Sequence, residues 1–110
     1  MRRLTYVGLA IFLAPSVLHA GQVYGTVTSN RKGIANTQIE IRCGAAGPVT
    51  TGNTSTDGAY RINVRQQGQC TLTLSAYPGR PSATVFSYPN PTQYDFEIVK
   101  TNGRYQLRRR

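Results

Sequence analysis

Few side chains in this 110-residue chain are equipped for chemistry. Its one histidine, His19, and its one methionine, Met1, fall within the first twenty residues. Beyond them stand two cysteines, Cys43 and Cys70, four carboxylates, Glu40, Asp57, Asp95 and Glu97, and eleven Lys and Arg, for a net charge of +7. With no histidine past residue 20, that part of the chain cannot assemble a Ser-His-Asp nucleophile set. Asp95 and Glu97 are two residues apart, so a strand would place both on one outer face, solvated, rather than on either side of a scissile bond. The cysteines have neither the Cys-x-x-Cys spacing of a redox pair nor a histidine to complete a zinc set. A structural disulfide between Cys43 and Cys70 is the expected use of both. No catalytic residue, cofactor or metal is expected. Oxygen ligands do gather around Asp57, with Asn53, Thr54 and Thr56, but a calcium site draws on several carboxylates and this stretch holds one, so turn chemistry is its expected role. Asn53-Thr54-Ser55 also fits a glycosylation sequon, which matters only in a eukaryotic secretory pathway.

What remains is charge. Arg104, Arg108, Arg109 and Arg110 crowd the C-terminus, and Arg31 and Lys32 share an early turn. Guanidinium groups bind phosphate and carboxylate in bidentate fashion, and a surface near +7 attracts polyanions in a salt-dependent way. These six residues form the candidate site for an anionic partner, either an envelope protein or an anionic polymer such as lipopolysaccharide or an acidic glycan, with nucleic acid admitted on charge alone. The competing reading is a solvated tail that blunts an edge strand. Tyr77 and Tyr88, each followed by proline, offer a sugar-stacking platform if they stand exposed, although tryptophan is absent.

The elements that position these residues begin after a segment that reads as a secretory signal peptide. Arg2 and Arg3 supply a positive start, Val7 to Leu13 an apolar stretch, and Leu18-His19-Ala20 a small residue before the cut. The apolar run is shorter than the roughly 20 residues of a spanning helix, and Pro15 interrupts it. Residues 1–20 are therefore expected to be removed, leaving residues 21–110 as a single secreted or periplasmic domain, bacterial and monomeric, with no membrane span. A domain of about 90 residues buries only roughly 60–65% of its unfolded surface, so a covalent staple would help it.

From Gly21 onward the hydrophobic pattern has period two, and no helical stripe exceeds about a turn. The domain is expected to be all-β. Strands are predicted over Gln22 to Thr28, Thr37 to Cys43, Tyr60 to Val64, Cys70 to Ala76 and Ala83 to Ser87, with an unpaired edge strand over Val49 to Thr54. Ile39, Ile41 and Cys43, then Tyr60, Ile62 and Val64, then Cys70, Leu72, Leu74 and Ala76 are the predicted inward faces. A closing hairpin follows, with Tyr94, Phe96 and Ile98 inward, Asn102-Gly103 at the turn, and Tyr105 and Leu107 returning. Asp57-Gly58 marks the turn before Tyr60; Gly58 suits a positive φ, and Asp57 is expected to cap the turn with its side chain.

Four blocks in order, Gly25-Thr26-Val27, Lys32-Gly33-Ile34-Ala35-Asn36-Thr37-Gln38-Ile39, Thr56-Asp57-Gly58-Ala59-Tyr60-Arg61-Ile62 and Gly68-Gln69-Cys70-Thr71-Leu72, resemble the carboxypeptidase regulatory-like domain. The resemblance covers Gln22 to Ala76. It implies a seven- to eight-stranded Greek-key β-sandwich of transthyretin-like or immunoglobulin-like type, with Asp57, Gly58 and Tyr60 as turn and structural residues. At position 70 that family usually carries an aromatic, and the cysteine standing here supports the link to Cys43. The family is generally non-catalytic, and the two nearest enzymes of related fold, hydroxyisourate hydrolases and intradiol dioxygenases, rely on histidines. The resemblance implies an accessory or adhesion-like binding module. An assembly protein pairing through a sheet edge and a secreted enzyme inhibitor are the alternatives.

Overall fold

The computed structural model describes residues 21–110, and the expected signal peptide lies outside the described residues. The chain forms β1 (Gln22–Ser29), β2 (Lys32–Gly33), β3 (Gln38–Cys43), β4 (Val49–Asn53), β5 (Ala59–Asn63), β6 (Gly68–Leu74), β7 (Ser82–Ser87), β8 (Thr92–Gln93), β9 (Phe96–Thr101) and β10 (Arg104–Arg109), with no helix among the described residues. The count is thus ten strands rather than seven to eight. The additional ones, β2 and β8, have two residues each, too short to show a period-two pattern.

The strands form two sheets packed face to face, a sandwich-like arrangement. The first has the order β10-β9-β1-β2, with β5 and β8 also pairing β1, and the second has the order β4-β3-β6-β7. β1 is the hub of the first sheet. Its N-terminal half pairs antiparallel with β5 and parallel with β8, and its C-terminal half pairs antiparallel with β2 and parallel with β9. The Tyr60 strand, β5, is an edge that pairs with β1 alone among the described residues.

Alternation explains the core. Val23, Val27, Ile39, Ile41, Leu72, Leu74, Val85 and Phe96 are all at most 1% exposed, drawn from the inner parity of strands in both sheets. Each such side chain contributes about 1.5–3 kcal/mol by leaving water. Cys43 and Cys70 stand directly opposite each other in the β3–β6 ladder and are bonded, with an S–S distance of 2.01 Å. The bond joins neighbouring strands of one sheet on its inner face, and under the chain-entropy model it contributes about 3.5 kcal/mol. Ala76, expected inward, is exposed. The chain has already turned there, because Leu74 N–H donates to Pro81 O and Tyr77 N–H donates to Leu74 O.

A tyrosine relay crosses the core. Tyr60 Oη donates to Tyr94 O at 2.6 Å, and Tyr94 Oη accepts from Phe86 N–H of the opposite sheet at 3.0 Å. Burial, and after it the negative charge of Asp95, push the Tyr60 phenol upward from its ordinary pKa. Gly25 makes room for this crossing, since a Cβ there would lie 1.9 Å from Tyr94 O.

Candidate functional site

A two-sheet fold has two seams where the edges of its sheets meet, and those of this protein differ. On one side, residues 54–58 carry the chain directly from β4 to β5. Thr54 N–H donates to Thr37 O, Asn36 N–H to Thr54 O, and Ser55 N–H to Ala59 O. Thr54 Oγ1 is buried and bonded to both Ile34 O and Thr37 N–H. The turn is capped by Ser55, whose Oγ accepts from the N–H groups of Asp57 and Ala59, and not by the Asp57 side chain as expected. Serine two residues ahead of Asp-Gly is the signal that could have revealed this. Gly58 has φ +82 and packs against the β1–β2 hairpin so closely that a Cβ would sit 2.5 Å from Val27 O. This seam is closed.

On the other side, the starts of β7 and β10 leave between them a groove of about 620 Å³, lined by Pro78 to Pro81 of the β6–β7 loop and Ser82, and by Gly103 of the final turn with Arg104, Tyr105 and Gln106. Its wall is rigid. Gly79 and Arg80 both adopt positive φ, 77° and 47°, and Arg80 is held by its Nη1 donating to Ser75 O at 3.0 Å and by Glu40 at 3.6 Å. Tyr105 is fixed edge-on against Tyr77, ring centroids 5.2 Å apart, with Lys100 Nζ 5.3 Å from its own ring centroid. The far end of the seam is shut, because Phe86 N–H and Phe86 O are taken by Tyr94 Oη and Thr92 Oγ1.

The six basic residues singled out in the sequence do not form one patch. Arg104 lies at the Asn102-Gly103 turn and lines the groove, whereas Arg108 stands four residues further along β10, about 13 Å away at strand rise. Arg108 pairs with Glu97 at 3.5 Å. Arg109 is exposed but lies against the fold, its guanidinium 4.5 Å from the centroid of the Tyr94 ring. Arg110 Nη2 donates to Thr26 Oγ1 at 3.1 Å, and its backbone N–H donates to Asp95 O. The cause lies in β10 itself, which extends the sheet as far as Arg109 and so draws the supposed tail into the fold. Arg31 and Lys32 sit at the β1–β2 turn, toward the same end of the sheet as Lys100, which shares a surface hollow with Asn30. Arg80 and Lys100 were missed. Arg80 was legible in principle, as a lone cation in a Gly-Arg-Pro turn.

Three of the four carboxylates are engaged by the protein's own groups. Asp95 Oδ1 accepts from Thr26 N–H and Thr26 Oγ1, standing in for a backbone acceptor where the β1 ladder is interrupted between β8 and β9. Glu40 and Glu97 carry the two ion pairs. Asp57 is exposed in its turn, and no group of three or more His, Cys, Asp or Glu among the described residues is placed to hold a metal ion. Of the two loop tyrosines, Tyr88 is exposed and stacks on Phe86 at 6.1 Å, whereas Tyr77 packs on Tyr105. No helix among the described residues is long and apolar enough to cross a membrane. The chain matches no family model and no curated protein.

Proposed function

We propose that this protein is a non-catalytic, exported binding module, built on a transthyretin-like sandwich, whose open β7–β10 seam meets an anionic partner of the cell envelope. One observation carries this reading. Arg104 lines the groove and Lys100 stands beside it, neither with a carboxylate partner among the described residues, while Arg108, Arg109 and Arg110 are engaged by the protein's own groups. Cations without an internal partner are the ones whose field reaches outward. The absence of histidine past residue 20 and the structural use of Asp95, Glu97 and Glu40 favour binding over catalysis.

The test is binding to heparin and to poly-glutamate across a salt series. Charge reversal at Lys100 and Arg104 together is expected to weaken binding at least about tenfold and to flatten its salt dependence. Arg108→Gln with Arg110→Gln is expected to change affinity by less than about threefold, within the range typical of exposed ion pairs. The opposite ranking would refute the assignment.

A further inference from the structure

The groove adjoins an unpaired strand edge, and the hydrogen-bond pattern shows which backbone groups that edge presents. Asn102 and Gly103, with φ 52° and 79°, form a two-residue loop that makes Thr101 and Arg104 a hydrogen-bonded pair, and Arg110 N–H donates to Asp95 O. Alternation in an antiparallel ladder then turns the backbone groups of Arg104, Gln106 and Arg108 toward β9, and those of Tyr105, Leu107 and Arg109 away from the sheet. No described strand pairs with that side of β10.

We infer that the free edge of β10 takes an extended polypeptide strand whose acidic side chains alternate with apolar ones, antiparallel to β10 and seated over the β7–β10 groove. The inference rests on the anionic-partner reading and narrows it to a peptide. Backbone pairing supplies the register, because Tyr105, Leu107 and Arg109 offer donors and acceptors over about 20 Å of strand. The inner face of the added strand would meet half-buried Tyr105 and Leu107 and buried Pro81, which suits apolar side chains. Its outer face would lie beside Arg104, which has no carboxylate partner among the described residues and so suits a carboxylate on the added strand. Antiparallel pairing with the β10 of a second copy would instead set Arg104 against Arg108 when the dyad falls at Gln106, or against Arg110 when it falls at Leu107, and like charges across a ladder repel.

The test uses the whole protein and an eight-residue peptide alternating Glu and Val, with binding read by fluorescence anisotropy. In antiparallel addition the inward valines are the residues whose backbone faces β10, so N-methylation of every Val is expected to lower affinity at least tenfold. N-methylation of every Glu is expected to change it less than threefold. If both methylated peptides bind like the parent, or if a Glu-Glu-Val-Val repeat of the same composition binds equally well, strand addition is wrong while the anionic reading stands. Loss confined to the Glu-methylated peptide overturns the antiparallel placement. Heparin binding without peptide binding overturns the inference alone, and failure of heparin, poly-glutamate and peptide together overturns both. Sedimentation showing a dimer that the peptide cannot dissociate would place a second copy on the edge and also overturn it.

Discussion

Where β4 meets β5, the chain crosses between the sheets within five residues, and the crossing is tied down by backbone bonds, the buried Thr54 hydroxyl and the Gly58 contact with β1. Where β7 meets β10, the facing strands are distant in sequence and nothing covalent spans the gap near Ser82 and Tyr105. A short connection closes its seam as a by-product of folding. A seam between strands remote in sequence closes only where side chains bridge it, as Tyr94 and Thr92 do at Phe86, and elsewhere it remains available.

The two seams differ most at their glycines. Gly58 and Gly79 share nearly the same φ, +82 and +77, but a Cβ on Gly58 collides with backbone whereas one on Gly79 meets nothing within 4 Å. Gly58→Ala is expected to cost about 4 kcal/mol, conformational strain plus overpacking, and Gly79→Ala about 1 kcal/mol, strain alone. Urea denaturation of both variants measures the difference. Equal costs would mean that the close approach at the closed seam is unimportant.

Next in size is the disulfide. Replacing Cys43 and Cys70 together by alanine is expected to cost about 3.5 kcal/mol in the same assay. The loss should fall on the β3–β6 ladder, so binding at the seam should survive at temperatures where the variant remains folded.

Tyr60→Phe comes third, at about 1–2 kcal/mol, because it leaves Tyr94 O without its buried donor. Tyr60 also sets a pH dependence. An unfolded tyrosine ionises near pH 10, but the folded protein holds the Tyr60 proton to higher pH. Above about pH 10 the unfolded state therefore binds fewer protons, and stability falls as pH rises; below that pH the contribution is fully present. Alkaline denaturation should show this slope in the natural protein and a shallower one in Tyr60→Phe.

The smallest effects belong to the open seam. Arg104→Gln is expected to change stability by less than about 0.5 kcal/mol, as for an exposed charge with no ion-pair partner among the described residues. Ser87 supplies a control in the core: its hydroxyl is fully buried with no hydrogen-bond partner among the described residues, so Ser87→Ala is expected to be neutral or mildly stabilising.

Period-two alternation made the inward faces of β3, β5, β6 and β9 readable, and Asn102-Gly103 gave the final turn. The Cys43–Cys70 bond was legible because two cysteines of inward parity had no other chemistry open to them. The neighbours of β5 were not legible, since alternation reports how a strand's faces are buried and says nothing of which strands flank it. The arginines misled for a related reason. Charge density along the sequence suggested a tail, but Tyr105, Leu107 and Arg109 share one face of β10, and that parity carries Arg109 onto the Tyr94 ring. Arg80 and Arg104, some two dozen residues apart, become neighbours only through the packing of two sheets.

Chemical-shift mapping of the 15N-labelled protein during titration with poly-glutamate distinguishes anionic ligands held by Lys100 and Arg104 at the open seam from ligands held by the side chains of Arg108 to Arg110. Shifts are expected to concentrate at Arg80, Ser82, Lys100, Arg104 and Tyr105, with the amides of β4 and β5 unmoved. Shifts centred instead on Thr26, Glu97, Arg108 and Arg110 would contradict the assignment to the seam.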